Sequence, residues 1–155
     1  MVNAYFLDTS ALVKRYVPEM GTDWILGITD PAIGNYLAIA QITWVEVFSA
    51  LSRRQREGSI SADRFNLTLQ DFRVDFENLY RVIEVDQTLI EKAGELVIQY
   101  PLRAYDAIQL ASALRLQSNF ALTTNIQLIF VTADVRLINI AQSEGLVTDN
   151  PNNYP

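Results

Sequence analysis

Short apolar runs alternating with helical patterns constrain this chain more than any other feature. Residues 4–7, 37–40, 81–85 and 129–132 are short segments dominated by apolar and β-branched residues. Runs of this length, bounded by polar residues, read as strands rather than buried helices. Between them, apolar residues recur at three-to-four spacing. Phe65, Leu69, Phe72, Phe76 and Leu79 mark one buried helical face, and Ala107, Leu110, Ala111 and Leu114 mark another. Strands that alternate with helices predict a parallel sheet covered on both faces. The expected architecture is α/β and three-layered, with a central parallel sheet of four or five strands. The fifth would be a short edge strand at 146–147.

Punctuation supports this division. Pro18 stops the first helix, Gly58 ends the helix that starts near Thr43, and Gly145 ends the last helix. Residues 118–128 stay open between loop and strand. There is no internal repeat and no linker, so residues 1–148 are expected to form a single domain. The Asn-Pro-rich segment 149–155 is expected to be a loose tail. No apolar run approaches the roughly 18–20 residues that span a bilayer. The first residues lack the basic start and long apolar stretch of a signal peptide. The expected location is cytoplasmic.

Composition then narrows the chemistry. The chain has 155 residues, of which 50% are hydrophobic, enough for a core without disulfides. It has neither Cys nor His. Thiol nucleophiles, zinc–thiolate sites, Ser-His-Asp triads and His general bases are therefore excluded. Carboxylate, hydroxyl, Lys, Arg and bound metal remain. Ligation by carboxylates alone suits hard ions such as Mg²⁺ or Mn²⁺.

Four acids stand out by position: Asp8 after the first strand, Glu46 and Asp106 in first turns of helices, and Asp134 after the fourth strand. Strand ends and the helix starts that follow them share the carboxyl rim of an open parallel sheet, where ligands bind. Each acid also has a structural explanation, because acids at helix N-termini satisfy free N–H groups and offset the macrodipole. Thr43-Trp44-Val45-Glu46 in particular fits a capping box. Taken together the acids would repel. A pair at about 4 Å costs on the order of 4 kcal/mol at an effective dielectric near 20. Protonation or a cation would be needed to hold them.

These residues carry a family resemblance. The opening Asn3-Ala-Tyr-Phe-Leu-Asp8-Thr-Ser-Ala-Leu-Val-Lys-Arg-Tyr-Val-Pro-Glu19 resembles that of PIN-domain ribonucleases, especially the VapC toxins of toxin–antitoxin pairs. Ile42-Thr-Trp-Val-Glu46, Leu102-Arg-Ala-Tyr-Asp106 and Phe130-Val-Thr132-Ala-Asp134 resemble the later acidic blocks, in the same order. The resemblance implies a PIN-like fold and a Mg²⁺- or Mn²⁺-dependent endoribonuclease that leaves 3′-hydroxyl and 5′-phosphate ends. Asp8, Glu46 and Asp106 would be the main metal ligands and Asp134 the fourth. Thr9, Ser10 and Thr132 would orient ligands or water. An antitoxin protein covering the site and a homodimer are also implied.

The net charge of −6 disfavours broad nucleic-acid binding but permits a local basic patch. Lys14, Arg15 and Arg53 are candidate contacts to RNA phosphates. The competing reading for these cations is a solvated helix end. Tyr105 could stack on a base, or could be packing. An aspartyl-nucleophile phosphatase needs an Asp where Ser10 stands. A response-regulator receiver needs a Lys at a strand end, and Lys14 and Lys92 lie in helical patterns. A PIN-fold nuclease outside a toxin–antitoxin pair, or a silent metal- or RNA-binding module, are the remaining alternatives.

Overall fold

The computed structural model describes residues 2–155. Strand β1 (Ala4–Leu7) is followed by helices α1 (Thr9–Tyr16) and α2 (Thr22–Ile28), then β2 (Tyr36–Ala40). Helices α3 (Thr43–Arg56) and α4 (Ala62–Asn78) lead to β3 (Arg81–Ile83). Helices α5 (Gln87–Gln99) and α6 (Ala104–Thr123) lead to β4 (Leu128–Val131), and α7 (Val135–Ser143) leads to β5 (Val147–Asp149). The five strands form one parallel sheet in the order β3-β2-β1-β4-β5, flanked by the seven helices.

The three layers follow from the two-residue period of a strand. In β1, Ala4 and Phe6 face a core built with Leu89, Leu96, Leu110 and Leu137 from α5, α6 and α7. Tyr5 and Leu7 face the opposite core, with Leu12, Ile25, Leu51 and Phe72 from α1 to α4. Both faces of the strand are buried, so it reads as a continuous apolar run rather than an alternation. Phe6 and Phe130 stack across β1 and β4 at 5.8 Å.

This order also explains where ligands can enter. The chain moves outward from β1 through β2 to β3, then returns to β4 on the other side of β1. Strand order reverses about β1, and a crevice opens beyond the carboxyl ends at such a point. The register pairs Leu7 with Val131, so Asp8 and Thr132 emerge together there.

Two details depart from the sequence expectation. Helix α6 continues to Thr123, which resolves much of the ambiguous 118–128 segment as helix. Residues 149–155 are not a loose tail. Asp149 ends β5, Pro151 is buried in a short 3-10 turn, and the Tyr154 ring stacks on Trp24 at 4.5 Å and 4°. Gly21 makes this seating possible. Its φ is +86°, and an added Cβ would stand 2.4 Å from Pro151 O. The sequence signal of Asn and Pro reported turns, not disorder.

Replacing Tyr154 with Ala should therefore destabilise the protein by about 1–2 kcal/mol, from the lost stacking on Trp24 and the lost hydrogen bond that its hydroxyl donates to Asp149 Oδ2. Urea unfolding measures this. A change under about 0.5 kcal/mol, the usual range for surface positions, would restore the loose-tail reading.

Candidate active site

Asp8 sits directly after the central strand and is 4% exposed. Its Oδ1 accepts from Ala11 N at 3.0 Å, which caps α1, and from Ser10 Oγ at 2.7 Å. Its Oδ2 accepts from Thr132 Oγ1 at 2.6 Å. Ser10 Oγ in turn accepts from Ala133 N at 3.0 Å, and Thr132 Oγ1 accepts from Asp134 N at 3.1 Å. The ends of β1 and β4 are thus stitched together around one carboxylate.

Asp134 caps α7, accepting from Arg136 N at 2.9 Å and Leu137 N at 3.3 Å. Both bonds fall on Oδ1. Asp106 lies in the first turn of α6, and Arg103 Nε stands 3.8 Å from its Oδ2. Glu46 lies in the first turn of α3 but does not close a capping box. The cap position is Ile42, which has no side-chain cap bond, and Thr43 is already inside the helix. The Glu46 carboxylate turns instead toward α1 and α6. Its Oε1 accepts from Thr9 Oγ1 at 3.1 Å and from Gln109 Nε2 at 2.7 Å.

The four acids line one cleft of about 630 Å³, together with Thr9, Ser10, Lys14, Arg53 and Tyr105. Thr132 is fully buried and reaches the cleft through Asp8, Ser10 and Asp134. Arg15 is not brought there. Neighbouring helical residues point about 100° apart, so Arg15 leaves the face that Lys14 shares. It binds Asp75 Oδ2 at 3.2 Å and Thr29 Oγ1 at 2.8 Å, and lines a separate hollow with Tyr16. Lys14 is buried, with its Nζ 3.6 Å from Glu19 Oε1, and Arg54 approaches the other Glu19 oxygen at 3.5 Å.

Gln109, Glu19, Arg54, Arg103 and Arg136 were not singled out by sequence reasoning. Gln109 did carry a signal. It lies one turn beyond Asp106, and it interrupts the otherwise apolar stripe of Ala107, Leu110 and Ala111. In the fold it is 2% exposed. Its Oε1 has no hydrogen-bond partner, a state that costs about 1–3 kcal/mol.

The electrostatics are those of acids crowded in a poorly solvated rim. Burial is the largest influence on Asp8 and pushes its carboxyl up to about 6, with the charge of Asp106 adding to the rise and the bonds from Thr132, Ser10 and Ala11 opposing it. Burial, then the nearby Asp106, raises Glu46 against the bonds from Gln109 and Thr9. Burial raises Asp106, with Arg103 opposing and Asp134 adding. Among the described residues no three acids have closed into a ready-made ligand set. They line the cleft separately. The donor set is all oxygen, which fits a hard divalent cation, and a cation there would reverse the penalty each carboxylate carries.

A carboxyl raised by folding favours the protonated folded state. The contribution from Asp8 is complete below its ordinary value of 3.8 and is lost as pH rises through about 6, a span worth about 3 kcal/mol. In chelator, unfolding free energy should fall over that window, and Asp8→Asn should flatten the fall. A pH profile unaffected by the substitution would contradict this assignment.

Comparison with known proteins agrees with this fold. The PIN domain family model matches residues 5–142. Ribonuclease VapC45 of Mycobacterium tuberculosis is 28% identical over 109 residues, which cover 70% of this chain and 74% of that protein. Among solved structures, a toxin–antitoxin complex from Klebsiella pneumoniae superposes with a TM-score of 0.61 at 21% identity, covering 96% of this chain and 98% of its own. Mycobacterium tuberculosis VapC20, described as a sarcin–ricin loop cleaving toxin, gives 0.63 at 17% identity, covering 93% and 97%.

Proposed function

The chain belongs to the PIN domain family, and on that premise we propose that it is a divalent-metal-dependent endoribonuclease, the toxin of a toxin–antitoxin pair. The observation that carries this reading is the convergence of Asp8, Glu46, Asp106 and Asp134 on one cleft in a chain without His or Cys. The name of the curated relative, a ribonuclease, supports the reaction class. A solved structural neighbour described as a toxin–antitoxin complex supports the partner.

Asp8, Glu46 and Asp106 would hold Mg²⁺ or Mn²⁺, with Asp134 as the fourth ligand. When bound, such an ion polarises a phosphate and lowers the pKa of an attacking water. The chain's own groups do the positioning. Ser10 and Thr132 fix both oxygens of Asp8, and the Asp134 oxygen not engaged in capping α7 would be the one left to meet the ion. Thr9 holds Glu46. Lys14 and Arg53 line the same cleft and would meet RNA phosphates. Arg15 is withdrawn from that role by its bonds to Asp75 and Thr29.

Exposed Val45 and Tyr105 stand on the cleft wall, where an antitoxin segment could cover apolar surface and offer a cation to the acids. A homodimer belongs to the same proposal, and α4 leaves Leu67 and Val74 exposed for such use. Among the described residues no helix is long and apolar enough to cross a membrane. A cytoplasmic site of action is part of the proposal.

Purified protein should cut RNA with Mg²⁺ or Mn²⁺ and stop in chelator. Asp8→Asn and Asp106→Asn should each lower the rate about 100-fold or more, equivalent to about 2.7 kcal/mol in the barrier. Metal-dependent cutting that survives both substitutions would reject this site. Arg53→Ala should weaken RNA binding and flatten the logarithmic salt dependence by about one ion. An unchanged slope would remove Arg53 from the interface.

A further inference from the structure

Gln109 occupies the junction of the elements that carry three of the acids. Its Nε2 lies 2.7 Å from Glu46 Oε1 on α3, 2.9 Å from Thr43 Oγ1 on the same helix, and 3.2 Å from Thr9 Oγ1 on α1. Gln109 itself is one turn beyond Asp106 on α6. An amide nitrogen has two protons for these three acceptors, so the shortest contact, to the carboxylate, takes precedence. The amide could not turn over without setting its oxygen against Glu46 Oε1. The present orientation leaves Gln109 Oε1 buried and unpaired. A buried polar residue that spends its whole donor capacity on one wall of an acidic cleft, and leaves its acceptor unmatched, is placed for that wall rather than for the core.

We propose that Gln109 is a positioning residue that ties down Glu46 Oε1, so that Glu46 meets a divalent cation in the cleft through Oε2. The inference rests on the metal-site reading above and goes beyond it by assigning one oxygen of Glu46 to the protein and the other to the ion. Thr9 reinforces the division, because its hydroxyl donates to the same Oε1 at 3.1 Å. Without Gln109 the Glu46 side chain loses its shortest hydrogen bond and gains rotamers that do not point its free oxygen at the cleft.

The test is Mn²⁺ binding by calorimetry to wild-type protein, Gln109→Met, Glu46→Gln and the double variant, with melting temperature measured beside it. Gln109→Met keeps the side-chain length and removes the donor. It should weaken Mn²⁺ binding about 10- to 100-fold, the usual range for partners that orient a metal ligand. In the Glu46→Gln background the same change should add less than about twofold, because residues that act through one another are not additive. Equal affinity in wild type and Gln109→Met would overturn the proposal while leaving the metal site standing. So would an equal loss in both backgrounds, the mark of a purely structural role. A wild-type protein that binds no Mn²⁺ would overturn both readings. Should Gln109→Met fail to fold, the wild type still decides. Its Gln109 side-chain amide protons, followed by NMR, should exchange with solvent far more slowly than those of an exposed Gln, and exchange at the exposed rate would refute the hydrogen bond.

Discussion

The burial of Asp8 at the end of the central strand is the constraint on which the rest of the site depends. A carboxylate in that place is costly, and the fold meets the cost with three donors, Ala11 N and Ser10 Oγ from the first turn of α1 and Thr132 Oγ1 from just beyond β4. The same carboxylate starts α1 by capping it. One side chain therefore terminates β1, launches the next helix, locks β1 to β4 and faces the cleft. The donors do not cancel the burial, because the carboxyl remains at about 6. That residual strain is what a cation would relieve, and it is the physical link between the fold and the proposed chemistry.

The other acids reach the cleft by a shared geometric rule rather than by sequence proximity. Strand order reverses about β1, so helices on both sides of the sheet begin at one rim. Asp106 and Glu46 come from first turns on opposite faces of the sheet, α6 and α3. Gln109 then joins these faces across the rim through Glu46, Thr43 and Thr9. The basic residues divide by the acid each one meets. Arg103 and Arg136 temper Asp106, whereas Lys14 and Arg54 share Glu19.

Much of this was legible in the sequence because the relevant signals are local. Apolar runs marked the strands, and an acid just after a run marked its carboxyl end. The fold class and the places of Asp8 and Asp134 follow from that, and first turns of helices marked Glu46 and Asp106. What was not legible depends on side-chain direction. Lys14 and Arg15 look equivalent as neighbours, yet helix phase sends one to the cleft and the other to Asp75. Glu46 fits a capping box by spacing, but the helix begins a residue earlier than that motif needs. Gln109 looks like a polar lapse in an apolar helix until α1 and α3 close over it. The terminal Asn-Pro segment gave no hint that Trp24, far away in sequence, would receive Tyr154.

The central claim is that the cleft acids hold a divalent cation, and anomalous diffraction from Mn²⁺-soaked crystals tests it most directly. The account predicts an anomalous peak in the cleft, in contact with the carboxylates of Asp8, Asp106 and Glu46, that disappears in Asp8→Asn. A cleft without a peak at saturating Mn²⁺, or a peak indifferent to Asp8→Asn, would contradict it.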